Sequence, residues 1–193
     1  MKKSFRAALF LAAVTTLAAC QQEVAQDLSP REMTAETLGH YCQMNLLEHP
    51  GPKAQVFMQG HAAPLFFSQV RDAIAYTRAP EQVAPILAVY VNDMGASGAT
   101  WDLPGEGNWI AADTAFFVLG SAVEGGMGAP EAVPFSSLES AKAFIAAEGG
   151  HVLALAEIAD DTVLAPVEDI ADSDENDAAF NERLHALHRK VGE

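Results

Sequence analysis

Cys42-Gln43-Met44 places a thiol and a thioether two positions apart. Those are the soft donors that select Cu(I) over harder ions. In an extended segment, residues i and i+2 face the same side, so an extended stretch over 41–45 would aim both sulfurs together. A third soft donor stands in Glu124-Gly125-Gly126-Met127-Gly128, where the surrounding glycines argue against a buried packing role for Met127. Gly60-His61 occupies the matching loop of an internal repeat, which makes His61 the candidate nitrogen donor. Each donor also has a plainer explanation. Free cysteine is commonly an inert buried hydrophobe, Met44 would serve as core filler, and Cys-x-Met alone is a weak motif. His49, in Glu48-His49-Pro50-Gly51-Pro52, reads as part of a proline-set turn. His185 and His188, three apart near the C-terminus, make only a weak metal pair, and Met58 and Met94 lie beside apolar runs as packing residues.

Cys42 needs a reason to exist because the other cysteine is accounted for. Lys2, Lys3 and Arg6 precede a charge-free apolar stretch over 7–19, shorter than the roughly 20 residues a bilayer-spanning helix requires. This reads as a signal peptide closing at Leu17-Ala18-Ala19-Cys20, an order that resembles a lipobox, with Cys20 accepting diacylglycerol before cleavage. A further acyl group on the new N-terminus, added to the diacylglycerol, would supply the more than one chain that stable anchoring needs. The expected location is therefore periplasmic, on a bacterial membrane, and Gln21 in place of Asp favours the outer one. Cys42 is then a thiol without an intrachain partner in an oxidising compartment. Loss of residues 1–19 removes three of the 11 basic groups and none of the 26 acidic ones, taking the net charge from −15 to −18. Nucleic acid is a poor partner for such a chain, whereas cations and basic protein surfaces are favoured.

The elements that must position these donors come from a repeat. Phe67-Ser68-Gln69-Val70-Arg71-Asp72-Ala73-Ile74-Ala75-Tyr76 aligns with Phe135-Ser136-Ser137-Leu138-Glu139-Ser140-Ala141-Lys142-Ala143-Phe144, 68 positions later. Ser136 and Glu139 have capping-box spacing. Leu138, Ala141, Phe144 and Ile145 fall on one helix face, as do Val70, Ala73 and Thr77 with Ile74 alongside, and Gly149-Gly150 ends the second helix. Apolar β-type runs flank both helices, at 54–58 and 86–91 and at 115–119 and 152–158. Further extended segments are expected at 41–45 and 108–111. The fold class is α+β, two repeated ββαβ units packed together. The expected organisation is a signal peptide over 1–19, a flexible lipid-anchored spacer over 20–35, units at 36–98 and 99–159, and an acidic tail over 160–193 with a short helix near 180–190.

Cys42-Gln43-Met44, His49-Pro50-Gly51-Pro52-Lys53-Ala54-Gln55-Val56, the Met127-Gly128 loop, Pro134-Phe135 leading into a helix, and Gly149-Gly150 together resemble the NosL family over about 38–158. That resemblance implies Cu(I) binding outside the cytoplasm. It also implies delivery of copper to nitrous oxide reductase in concert with a membrane ABC-type assembly complex, and a fold of two ββαβ halves. By the same resemblance Cys42 and Met44 match the family's Cys-Gly-Met, and Met127 its loop methionine. Gln43 departs from the family glycine, where a tight turn would ask for positive φ. The expected activity is not catalytic: copper passes by ligand exchange from Cys42, Met44 and Met127, with His61 as an optional fourth contact. Two alternatives are a tethered enzyme using Cys42 as nucleophile with His49 or His61 as base, and an interaction lipoprotein binding through its acidic tail.

Overall fold

The computed structural model describes residues 25–80 and 82–165. Cys20, His185, His188 and the expected helix at 180–190 lie outside them. Strand β1 (Ala54–Met58) is followed by β2 (Leu65–Phe67), helix α1 (Val70–Arg78) and β3 (Ile86–Asn92). After β4 (Trp109–Ala111) the pattern returns as β5 (Phe116–Leu119), β6 (Val133–Phe135), helix α2 (Leu138–Glu148) and β7 (His151–Ala154), and a short helix α3 (Asp160–Leu164) follows. The two sheets are antiparallel, ordered β2-β1-β3-β4 and β6-β5-β7. Each half is a ββαβ unit.

Two strands are not where the sequence put them. Residues 41–45 form a turn, and the second strand of the first unit is β2, immediately before its helix. Likewise the second unit takes β6 rather than the 108–111 segment, which as β4 joins β3 at the edge of the first sheet. Three-residue strands carry too little period-2 pattern to be separated from the helix start that follows them. The second helix is capped one residue later than the spacing suggests: Ser137 Oγ accepts from Ser140 N.

Strand β5 explains why the halves are inseparable. Its side chains alternate between faces. Phe117 and Leu119 enter a core shared with Val56 and Met58 of β1, Ile74 of α1 and Val91 of β3, while Phe116 and Val118 meet Phe135, Ala141 and Phe144 beneath α2. The chain then returns to α1. Arg78 donates to Ile158 O and Asp160, Arg71 donates to Ala165 O at 2.8 Å, and Val163 is buried in the shared core. At the other end, Gln26 Nε2 donates to Met58 O and His61 O, both at 2.9 Å. Its Oε1 accepts from Gly60 N, and Arg31 exchanges backbone bonds with the buried Gln55 side chain. Residues 26–31 therefore lie along β1.

Candidate metal centre

Cys42 and Met44 sit on a turn closed by the Leu38–Asn45 bridge, with Gln43 N donating to Gly39 O and Gly39 N to Met44 O, each at 2.9 Å. The turn is pinned from both sides. His40 N donates to Phe66 O on β2, and the His40 ring packs edge-on against Phe67 and Tyr76, with centroids 5.5 and 5.3 Å away. Asn45 caps the 3-10 turn Leu46–Glu48 by accepting from Leu47 N, and its amide donates to Ala35 O. A Cβ on Gly39 would lie 2.4 Å from Cys42 Sγ, so glycine there is what admits the thiol.

Gln43 adopts φ 56°, and among the described residues no other non-glycine has positive φ. The segment is thus not extended, and the two sulfurs are presented by a left-handed turn instead of a pleat. That conformation costs an L-residue roughly 1–2 kcal/mol. The Gln43 amide offsets it by donating to His40 O at 2.7 Å and Gly39 O at 3.2 Å, each bond worth about 0.5–1.5 kcal/mol net. Gln43→Gly should therefore leave stability nearly unchanged. Gln43→Ala keeps the strain, loses the bonds and should lose about 1 kcal/mol, as read from urea unfolding.

Met127 stands on a second loop, closed by the Glu124–Pro130 bridge and by Gly125 N donating to Ala129 O at 2.8 Å. Its thioether is exposed, at 44% for the residue against 43% for Met44. This loop belongs to the second half but is held by the first. Gln69, the residue before α1, makes no side-chain cap for its own helix; its Oε1 accepts from Met127 N at 2.6 Å. In return Glu131 Oε1 accepts from Arg71 N at 2.9 Å and so supplies the missing cap of α1 from across the molecule. A Cβ on Gly126 would stand 2.8 Å from both His49 Cβ and Pro50 O, which fixes how closely the loop lies on the 49–50 backbone.

His49, read from sequence as a turn residue, does more. Its Nδ1 lies 2.9 Å from Gly126 O, an acceptor, so Nδ1 carries the proton. In the neutral ring Nε2 then holds the lone pair, and it is buried with no hydrogen-bond partner among the described residues. One imidazole nitrogen bonded to a carbonyl and the other left open is how metal-binding histidines are oriented. The sequence signal was only proximity to the Cys-x-Met motif. His61, by contrast, lines a groove of about 440 Å³ with His40, Tyr41, Met58 and Tyr76. None of Cys42, Met44 and Met127 lines that groove. Among the described residues no three His, Cys, Asp or Glu side chains gather to hold a metal, so a site here depends on methionine sulfur.

Burial pushes the Glu131 carboxyl up to about 8, against the pull of its backbone donors. Its Oε2 has no hydrogen-bond partner among the described residues. Folded chains keep that proton to about pH 8, whereas unfolded chains release it near 4.5. The folded state therefore binds more protons across that window, and stability falls as pH climbs through it. Glu131→Gln keeps an oxygen acceptor for Arg71 and should flatten this dependence, seen as urea midpoints that no longer fall between about pH 5 and about pH 8. Burial holds the Lys53 ammonium down to about 8, so its own titration lies at and above the end of that window.

Comparison with known proteins bears on the whole arrangement. The NosL family model matches residues 30–163. A copper-binding lipoprotein NosL of Achromobacter cycloclastes is 64% identical over 192 residues, covering 100% of each chain. That of Stutzerimonas stutzeri is 33% identical over 138 residues, 72% of this chain and 70% of the relative. The crystal structure of the copper chaperone NosL from Shewanella denitrificans aligns with a TM-score of 0.62 at 32% identity, over 67% of this chain and 94% of that one. A family match that takes in both sulfur-bearing loops and a relative that aligns from end to end lead to one statement: this chain belongs to the NosL family.

Proposed function

We propose that this protein is a Cu(I)-carrying lipoprotein, held at the periplasmic face of a bacterial membrane through acylated Cys20, that supplies copper for the centres of nitrous oxide reductase. The single observation that carries the copper reading is the tie between the two sulfur-bearing loops: His49, in the segment that follows Cys42 and Met44, bonds the Gly126 carbonyl beside Met127. Cys42 supplies the thiolate, Met44 and Met127 supply thioethers, and His49 Nε2 is a better-supported nitrogen donor than His61. Exposure of both methionines suits ligand exchange, in which donors of a receiving protein replace them one at a time without any redox step. The receivers we propose are the reductase and its membrane ABC-type assembly complex. Relatives named as copper-binding lipoproteins and as a copper chaperone support this reading. A nucleophilic Cys42 would need a base and a carboxylate to orient it; His49 Nδ1 is bonded to a backbone carbonyl and not to a carboxylate, and the relatives are named for copper binding, which favours carriage over catalysis.

Anaerobic titration with Cu(I), followed by competition against a chromophoric chelator, tests the site. One ion per chain is expected, with affinity in Met127→Leu reduced about tenfold or more, the scale on which even supporting groups of a metal site act. Unchanged affinity in Met127→Leu would remove the second loop from the site.

A further inference from the structure

Beside the Leu46–Glu48 turn, the 102–106 loop leaves a cleft of about 370 Å³ whose apolar lining includes Met33, Leu46, Leu47 and Leu103. Leu47 is 51% exposed and Leu103 71% exposed. Clustered large apolar side chains left in water mark surfaces that meet another molecule. The same cleft is edged by Glu32, Asp102 and Glu106, all exposed. Its one lysine, Lys53, is outnumbered by these three carboxylates, and its Nζ is turned onto the carbonyls of Pro50 and Gly51. An apolar floor with an acidic rim repels anionic partners and complements one that alternates apolar and basic side chains.

We propose that this cleft docks an extended basic and apolar segment of a partner protein. Apolar side chains of that segment lodge between Leu47 and Leu103, and its Lys or Arg residues face Glu32, Asp102 and Glu106. The position matters as much as the chemistry. Leu46 follows Met44 by two residues, and Leu46 N donates to Thr37 O at 3.0 Å, so a segment seated here lies beside the turn that carries Cys42 and Met44. The inference deepens the copper-exchange reading, since the docked protein is the one that gives or takes the ion, but its test needs no copper.

Amide chemical shifts of the copper-free full chain are followed during titration with three synthetic peptides of equal length. One alternates Leu with Lys, one Leu with Glu and one Ser with Lys. The Leu/Lys peptide is expected to bind saturably, shifting the amides of Leu47, Leu103 and Gly105. Leu103→Ser and the pair Asp102→Asn with Glu106→Gln should each weaken it about tenfold, the loss expected from removing an anchor. Leu103 is exposed, so an unchanged spectrum elsewhere verifies that its variant folds. Equal binding by the Ser/Lys peptide, or shifts located elsewhere, would reduce the effect to general charge attraction and overturn the proposal. So would displacement of the Leu103 amide on deleting residues 166–193 without peptide, which would make this chain's own C-terminal segment the occupant. Failure of peptide binding with Cu(I) affinity intact leaves the copper reading standing; the converse leaves the docking cleft standing.

Discussion

Cys42→Ser is expected to lower Cu(I) affinity by more than about 100-fold while leaving the fold in place. The magnitude follows from donor type. A serine hydroxyl is a hard, neutral oxygen, and it replaces the one anionic soft donor in the proposed set. Groups that merely support a metal ligand already cost 10–100-fold when removed, roughly, so loss of the ligand should exceed that range. The fold should survive because Cys42 is only partly buried and Ser is no larger; its oxygen fits the space that Gly39 leaves for sulfur. Chelator competition and thermal unfolding on the same samples separate the two effects. Wild-type affinity in the serine variant would end the thiolate role. A large fall in melting temperature would instead make Cys42 a packing residue. Gly39→Ala offers an independent check, because the added methyl displaces Sγ without altering any donor.

Phe117→Ala should lower stability by about 3–5 kcal/mol, the usual range for deleting a fully buried phenylalanine. Phe117 has no exposed surface and projects from β5 of the second sheet into a core otherwise built largely from the first. Loss of that ring should therefore weaken both halves, and fluorescence and far-ultraviolet circular dichroism should still report one urea transition at a lower midpoint. Two separated transitions would show the halves to be independent units and would undo the shared core into which β5 projects.

What could be read in advance follows from pattern length. The helices of nine and 11 residues carry enough apolar periodicity to declare themselves, and the 68-residue offset between Phe67 and Phe135 marks where each begins, though not the three-residue strands that end at those phenylalanines. The proposed sulfur donors were legible by type alone. Their geometry was not: Gln43 is a poor candidate for φ 56°, and its amide offsets the strain through bonds to Gly39 and His40 that the sequence does not show. Nor could the sequence show that Gln69 and Glu131 exchange duties between halves, since residues 62 positions apart leave no local signal. His49 was hidden for the same reason. Its partner, Gly126, lies 77 positions away.

The bonds that lay residues 26–31 along β1 set a leash. For a chain acylated at Cys20, as proposed, the stretch from the lipid to Gln26 extends at most about 20 Å at full reach, because Gln26 is fastened to Met58, Gly60 and His61. A free run to residue 35 would have allowed more than twice that. So anchored, the domain would patrol a thin layer over the bilayer with the tip of its β1–β2 hairpin drawn toward the headgroups, and it would meet membrane-bound partners by lateral diffusion in two dimensions.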